Sequence, residues 1–307
     1  MMLPPPRLLK AIWPGSSCQN EVDDLPEPMQ PRPRLVIFDL DGVIYRGDVP
    51  VPGAADLVTR AHASGIGVRF ATNNSLATRA DYVETLAAMG IASSIDEIVT
   101  SNTATILHLQ RHEPEMHRIL AVGERGLVSE LRAADFDVTP AAEIAASAAS
   151  GAPLQVAFDA VVAGLDRSFD YGRLAAAATA IRSGARFFAT NADSRYPTPR
   201  GFLPGAGSMV SAIATASGEA ALVIGKPAPA MLEAIVEAAG LRPTDVLMVG
   251  DNPDADIVAA RRAGIRSVLV LTGVADADAA AGLDGDRRPD HVADGPGAIA
   301  TLLGLSE

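Results

Sequence analysis

Short apolar runs that alternate with helical patterns from Arg34 onward constrain the fold of this chain most strongly. The helical stretches "GAADLVTRAHASG", "PAMLEAIVEAAGL" and "DADIVAARRAGI" carry an apolar stripe and end near glycine. Continuous apolar strands between such helices are typical of a parallel sheet that is covered on both faces. The pattern predicts an α/β fold with a Rossmann-like parallel sheet, whose strands we expect at "RLVIFD", "GVRFAT", "EIVTS", "AALVIG", "DVLMVG" and "SVLVLT".

A second set of strand and helix patterns lies between residues 113 and 202, from "RILAVG" to "RFFATN". It predicts a smaller α/β lobe inserted in the larger one. We therefore expect a core domain formed by residues 34–112 and 203–307, with an α/β cap domain at 113–202. The alanine-rich stretch 141–155 predicts a surface helix and loop, and "DHVAD" predicts a last strand before a closing helix.

Residues 1–33 are rich in proline and acidic residues and show no periodicity. This composition predicts a disordered N-terminal extension, because such a segment cannot bury enough apolar surface to order itself. Initiation of translation at Met29 is an alternative explanation for the extension.

Charge and composition limit the class of partner. A net charge of −12 and a pI near 4.9 argue against nucleic acid or an anionic membrane as the main partner. No apolar run approaches the roughly 18 residues of a membrane span. The single cysteine, Cys18, cannot form an internal disulfide, so a reducing, cytoplasmic location is expected.

Acidic residues follow two of the predicted strands. Asp39 and Asp41 end the first strand and, being two positions apart, project to the same side. This pair alone is equally typical of a strand end with helix-capping acids. Asp251, Asp254 and Asp256 follow another strand, however, and two such clusters repel each other unless a cation lies between them. Oxygen ligands of this kind suit Mg²⁺.

Two further strands end in groups that suit an anion. Thr72 and Asn73 precede a predicted helix, whose free N–H groups favour phosphate. Lys226 lies directly before Pro227 at the end of another run. A helix cap and a surface charge would explain each group separately, but four strand ends with this chemistry favour one ligand site beyond the carboxyl ends of the strands.

These motifs resemble those of the haloacid dehalogenase-like (HAD) superfamily of hydrolases. "DLDGVIYRGDVPVPGA", "FATNNS", "ATNADSRYPTPRGFLPGAGSMV" and "IGKPAP" are similar to the NagD-like or p-nitrophenylphosphatase-like branch, which includes phosphoglycolate and glycerol phosphate phosphatases. The resemblance covers nearly all of residues 34–305, and in that branch the cap domain lies where the inserted lobe is predicted. The family's fourth motif corresponds here to the segment from Asp251 to Asp256. Ala255 stands where this branch often has a threonine before the second acid, and Asp254 is an additional acid.

The resemblance implies a phosphatase that forms an aspartyl phosphate on Asp39. Asp41 would act as general acid and then as general base. Mg²⁺ would be held by Asp39, the main-chain carbonyl of Asp41 and Asp251. The phosphate would be bound by Thr72, the amide of Asn73 and Lys226.

The same resemblance implies roles for the remaining residues. Asp256, with Asp254, would orient metal-bound water or Lys226. In the cap loop 190–197, Asn191, Asp193 and Arg195 are expected to reach the substrate, although Asn191 and Asp193 could instead form a turn before Pro197. The expected partner is a small phosphorylated metabolite, and two chains could pair through their caps.

Other functions remain open at this point. A phosphotransferase or mutase would use the same intermediate and pass the phosphate to a second alcohol. A signalling receiver also carries strand-end acids, but it has about half this length and lacks the second acid. A dehalogenase would have no use for Asp41 and the metal acids, and a non-catalytic binding protein would not need all four motifs. The substrate could be a glycolate, glycerol, nucleoside or sugar phosphate.

Overall fold

The structure is a computed structural model that describes residues 27–149, 157–198 and 201–305. Most of the predicted N-terminal extension, residues 1–26, lies outside the described residues. Among the described residues, none of the helices combines the length and the apolar character needed to cross a bilayer.

Strands and helices alternate along most of the described chain. The strands are β1 (Leu35–Asp39), β2 (Tyr45–Arg46), β3 (Val49–Pro50), β4 (Gly67–Thr72), β5 (Ile98–Thr100), β6 (Arg118–Val122), β7 (Asp137–Pro140), β8 (Ala160–Ala163), β9 (Arg186–Ala189), β10 (Arg195–Thr198), β11 (Gly201–Pro204), β12 (Leu222–Val223), β13 (Val246–Gly250), β14 (Arg266–Val270) and β15 (His291–Ala293). The helices are α1 (Ala54–Ala63), α2 (Arg79–Ala88), α3 (Ser101–His112), α4 (Arg125–Ala133), α5 (Ala141–Ala149), α6 (Tyr171–Arg182), α7 (Ala206–Ser217), α8 (Ala230–Ala238), α9 (Val258–Arg262), α10 (Ala277–Ala281) and α11 (Pro296–Leu302).

A six-stranded parallel sheet forms the large lobe, in the order β15-β14-β13-β1-β4-β5. Alternate residues of β1 point to opposite faces, so Phe38 packs with α1, α2 and α11 while Ile37 packs with α8 and α9. Both residues are fully buried, which explains the continuous apolar run of this strand. The predicted α/β fold with a parallel core sheet is confirmed.

A five-stranded parallel sheet forms the small lobe, in the order β12-β9-β8-β6-β7. One face packs against α5, α6 and α7, and the other against α4 and the large-lobe helix α3. Ile106 and Leu109 of α3 join the same apolar cluster as Phe188 of β9. Helix α3 therefore connects the two sheets through its buried face.

The prediction of a core strand at "AALVIG" is wrong. Its residues Leu222 and Val223 form β12 and pair with Phe188 and Ala189 at the edge of the small sheet. An apolar run of this length fits the edge of either sheet. Helix α7 directly precedes it and packs against the small sheet, so the run lies at the edge of that sheet. Strand β11 also pairs with β10 across the predicted boundary at residue 202. We therefore propose that the small lobe extends to Val223.

The prediction of disorder up to residue 33 is wrong for residues 27–33. Met29 is 5% exposed and belongs to the apolar cluster around β1. Its N–H donates a hydrogen bond to the carbonyl of Leu302 (2.8 Å), and Arg266 donates to the carbonyl of Pro31 (2.9 Å). Burial of the Met29 side chain stabilises this segment against the large lobe, and the proline-rich sequence around Met29 does not indicate this contact.

The predicted helix at 254–265 is divided. Residues Pro253–Ile257 form a π-helix, and α9 follows from Val258 to Arg262. The side chain of Asn252 caps the wide turn by accepting hydrogen bonds from the N–H groups of Asp254 and Ala255. The wider turn changes the direction of each side chain in it relative to an α-helix.

Candidate active site

A cleft of about 600 Å³ lies at the carboxyl ends of β1, β4 and β13, where residues of both lobes meet. Parallel sheets place the ends of these strands along one edge, so side chains that are far apart in sequence come together there. The lining includes all the residues predicted for catalysis, phosphate, metal and the cap loop: Asp39, Asp41, Thr72, Asn73, Asn191, Asp193, Arg195, Lys226, Asp251, Asp254 and Asp256.

Lys226 is the buried cation of this cleft, with 2% of its surface exposed. Its ammonium group donates hydrogen bonds to Oδ1 of Asp39 (2.6 Å), to Oδ1 of Asp256 (2.6 Å) and to the carbonyl of Ala71 (3.2 Å). Burial favours loss of its proton, but the two carboxylates outweigh this effect and raise the pKa of Lys226 above its ordinary value. The group is therefore a permanent positive charge beside Asp39.

The carboxylates of Asp39, Asp251 and Asp256 are crowded, since one oxygen of each lies within 4.8 Å of the others. Burial raises the pKa of Asp39 well above its usual range, against the opposing charge of Lys226. Burial, and then the neighbouring charge of Asp256, raise the pKa of Asp251 to about 7. Three carboxylates face one ammonium group, so the fully ionised cluster has two excess negative charges. This excess fits a divalent cation.

The donor set fits Mg²⁺, which prefers carboxylate and carbonyl oxygens. Asp256 has both oxygens occupied by protein donors, because Lys226 binds Oδ1 and the N–H of Asn252 binds Oδ2 (3.1 Å). Asp39 and Asp251 are therefore better placed than Asp256 to offer ligand oxygens. This arrangement supports the roles predicted for all three residues.

Gly42 allows the two acidic strand ends to approach each other. Its φ of +80° lies in the left-handed region, and a Cβ at this position would lie 2.2 Å from Oδ2 of Asp251. The same Asp251 oxygen accepts a hydrogen bond from the N–H of Val274 (2.7 Å). The glycine that follows Asp41 is thus required by the position of Asp251.

Asp41 follows β1 and lines the cleft beside Asp39. Asp41 keeps an exposed surface in the cleft, where partial desolvation raises its pKa and the main chain of Gly47 opposes this shift. A carboxyl group with a raised pKa holds its proton more readily near neutral pH. Such a group can give a proton to a leaving oxygen.

Thr72 and Asn73 end β4 with different contacts. The hydroxyl of Thr72 accepts a hydrogen bond from the N–H of Asn74 (3.2 Å). The side chain of Asn73 turns toward the protein, donating to the carbonyl of Lys226 (2.8 Å) and accepting from its N–H (2.9 Å). The Asn73 side chain is therefore a structural link within the site.

The residues predicted in the cap loop reach the cleft in different ways. Asn191 donates to the carbonyl of Asn73 (2.7 Å), and the carboxylate of Asp193 accepts from the Asn73 side chain. Arg195 is exposed, and its guanidinium lies 5.6 Å from the ring centroid of Phe202. Of the three residues, Arg195 is the exposed one that also lines the cleft.

Asp254 is separate from the carboxylate cluster. Its side chain is 76% exposed and lies 3.7 Å from Arg287. Asp256 points inward to Lys226 and Asp254 points outward, because residues two positions apart do not share a face of a helix. The geometry supports the predicted contact with Lys226 for Asp256 and not for Asp254.

Sequence reasoning missed several residues that hold the site. Val274 binds Asp251, and the hydroxyl of Thr272 donates to the carbonyl of Gly42 (2.6 Å). Ser75 connects the lobes by accepting a hydrogen bond from the N–H of Leu165 (3.0 Å). The segment "TGV" (272–274) follows the end of β14, as the other motifs follow strand ends, so its position was a signal for Thr272 and Val274. Ser75 carried no comparable signal.

The comparison with known proteins agrees with this geometry. The family described as haloacid dehalogenase-like hydrolase matches residues 36–137, and the one described as HAD-hydrolase-like matches residues 223–296. An acid sugar phosphatase of Staphylococcus epidermidis is 34% identical over 238 residues, covering 78% of this chain and 86% of the relative.

Solved structures of similar proteins share the architecture. NagD from E. coli K-12 has a TM-score of 0.76 and 30% identity, covering 86% of this chain and 97% of that chain. A glycerol phosphate phosphatase of Mycobacterium tuberculosis, solved in complex with magnesium, has a TM-score of 0.74 and 33% identity. The match covers 87% of this chain and 76% of that chain. The chain belongs to the haloacid dehalogenase-like hydrolases, within the NagD-like branch of phosphatases.

Proposed function

We propose that this chain is a Mg²⁺-dependent phosphatase that hydrolyses small phosphate monoesters through an aspartyl phosphate on Asp39. The observation that carries the proposal is the buried cluster in which Lys226 bridges Asp39 and Asp256 beside Asp251, at the end of the central strand β1. A nucleophilic carboxylate needs neighbouring positive charge, because both it and the substrate are anions.

The first step transfers the phosphoryl group to the protein. A carboxylate oxygen of Asp39 attacks phosphorus, the bond from phosphorus to the leaving oxygen breaks, and Asp41 donates its proton to that oxygen. The raised pKa of Asp41 supports its protonated form at the start of this step. The positive charge of Lys226 and the hydroxyl of Thr72 would stabilise the phosphoryl oxygens as charge develops on them.

The second step releases inorganic phosphate. A water molecule attacks phosphorus, Asp41 takes its proton, and the bond from phosphorus to the Asp39 oxygen breaks. Mg²⁺, held by Asp39, Asp251 and the main-chain carbonyl of Asp41, would supply the charge that offsets repulsion between the substrate and the carboxylates. The small lobe would cover the cleft and exclude bulk water during both steps.

The substrate is proposed by class. A cleft of about 600 Å³ fits a small phosphorylated metabolite. The names of the relatives support sugar and glycerol phosphates as candidates, and glycolate and nucleoside phosphates remain candidates beside them. Arg195 is the residue proposed to contact the leaving group. Pairing of two chains through their small lobes stays a prediction, which sedimentation of the purified protein would check.

The test is hydrolysis of p-nitrophenyl phosphate by the wild type, with Mg²⁺ or with excess chelator, beside Asp39→Asn. We expect activity that requires the metal and falls by about 1,000-fold or more in the variant. Asp278→Asn, at an exposed position in α10, is the matched control and should keep full activity. A folded wild type without phosphatase activity would contradict the proposal, and transfer of phosphate to an added alcohol in place of water would favour a phosphotransferase.

A further inference from the structure

The carboxylate of Asp193 joins the small lobe to the centre of the site. It accepts the side-chain amide of Asn73 at both oxygens, at 3.1 and 3.2 Å. Its own position is fixed, because its N–H donates to Oδ1 of Asn191 (3.2 Å) and its carbonyl accepts the N–H of Gly207 (2.9 Å). A rigid turn of the small lobe thus holds an anionic acceptor against a residue of the large lobe.

The Asn73 side chain relays this contact to Lys226. One amide hydrogen is directed at Asp193 and the other at the carbonyl of Lys226, while Oδ1 accepts the N–H of Lys226. A flipped amide would place its oxygen against the carboxylate and its NH₂ group against the Lys226 N–H, so both contacts would become repulsive. A carboxylate accepts hydrogen bonds and donates none, so Asp193 reinforces the amide orientation that the main chain of Lys226 also requires.

The main chain of Lys226 is held on both sides by this amide, and its ammonium group reaches Asp39 and Asp256. The turn that carries Asp193 also contacts the Asn73 main chain through Asn191. Withdrawal of the small lobe would remove both contacts together. The alignment of Lys226 therefore depends on contact between the lobes.

We infer that Asp193 is a positioning residue, which aligns Lys226 through Asn73 when the small lobe covers the site, and which does not select the leaving group. The inference rests on the proposed phosphatase function. It assigns different roles to two of the three predicted cap-loop residues: Asp193 supports the chemical step for every substrate, and Arg195 determines the choice among substrates.

The test measures kcat and KM for wild type, Asp193→Ala and Asp193→Asn on p-nitrophenyl phosphate, glycerol 3-phosphate and a nucleoside monophosphate. Loss of a charge-assisted hydrogen bond predicts a fall in kcat of about 10- to 100-fold for Asp193→Ala. The same factor should apply to all three substrates. Asp193→Asn keeps the shape and one acceptor oxygen, so its loss should be smaller, and Asp137→Asn on the exposed end of β7 should have no effect.

A double-mutant cycle with Asn73→Ala separates positioning from direct contact. Because Asp193 acts through Asn73, its replacement should cost no further activity in the Asn73→Ala background. Additive effects, a fall that differs among the three leaving groups, or unchanged kcat in both Asp193 variants would each overturn the inference. A wild type inactive on all three substrates would overturn the proposed function with it, whereas an active wild type with any of those outcomes overturns the role of Asp193 alone.

Discussion

Replacement of Lys226 by methionine should destabilise the protein even when no substrate or metal is present. The ammonium group is 2.6 Å from one oxygen of Asp39 and 2.6 Å from one oxygen of Asp256. The exposed fraction of the side chain is 3% for Lys226, 13% for Asp39 and 2% for Asp256. Methionine preserves most of the side-chain volume but leaves two buried carboxylates without their counter-charge. Breaking a buried ion pair from one side costs about 3–5 kcal/mol, and we expect a loss in that range.

The assay is urea unfolding in excess chelator, followed by far-UV circular dichroism, which reports the loss of the helices in both lobes. The double variant Lys226→Met with Asp256→Asn removes one of the two unpaired charges and should recover part of the lost stability. A Lys226→Met protein within about 1 kcal/mol of wild type would refute the reasoning. A double variant less stable than Lys226→Met would refute it as well.

Three further predictions concern other parts of the chain. Gly42→Ala should lower the apparent affinity for Mg²⁺ in p-nitrophenyl phosphate hydrolysis by about 10-fold or more, because the added Cβ would displace Asp251, and an unchanged Mg²⁺ dependence would contradict this. Arg195→Ala should alter the ranking of substrates more than the rate of the chemical step, so an unchanged ranking would count against its proposed contact. Burial, and then the neighbouring His112, lower the pKa of His108, so the unfolded chain binds its proton more readily and stability should fall as pH drops below about 6.5. His108→Gln should reduce the loss in melting temperature between about pH 7.5 and about pH 5.5, and an equal loss in both proteins would exclude this histidine as a source.

The sequence predicts the fold class because continuous apolar strands have few stable arrangements. The run that includes Ile37 and Phe38 can be buried on both faces only within a parallel sheet covered by helices. The assignment of a short edge strand to one of two sheets has no such determinant. Leu222 and Val223 were therefore expected in the core sheet and lie in the small one.

Residues at strand ends were predictable for a similar reason. Asp39 and Asp251 lie at the carboxyl ends of adjacent strands of the core sheet, whose edge brings them together. Lys226 also follows an apolar run, but that run forms β12 of the small sheet, so the predicted sheet edge does not account for its position. The opposite orientations of Asp254 and Asp256 agree with the helix predicted at 254–265, because residues two positions apart do not share a face of a helix.

Contacts that join distant segments were also beyond sequence reasoning. The amide of Asn73 is predicted to bind phosphate, and its side chain has a further role that was not predicted, since it bridges Lys226, 153 positions away, and Asp193, 120 positions away. No local pattern specifies such a contact, because it depends on how the small lobe lies against the large one. The same limit applies to Ser75, whose partner Leu165 is 90 positions away.

The measurement that tests the central claim most directly is mass spectrometry of the protein quenched in acid during turnover of p-nitrophenyl phosphate with Mg²⁺. Asp41→Asn, which should slow hydrolysis of the intermediate, is analysed beside the wild type. The account predicts that the peptide containing Asp39 gains the mass of one phosphoryl group, and that chelation of Mg²⁺ or Asp39→Asn abolishes the gain. Continued hydrolysis by Asp39→Asn, or a phosphoryl group found on another residue, would contradict the assignment of Asp39 as the nucleophile.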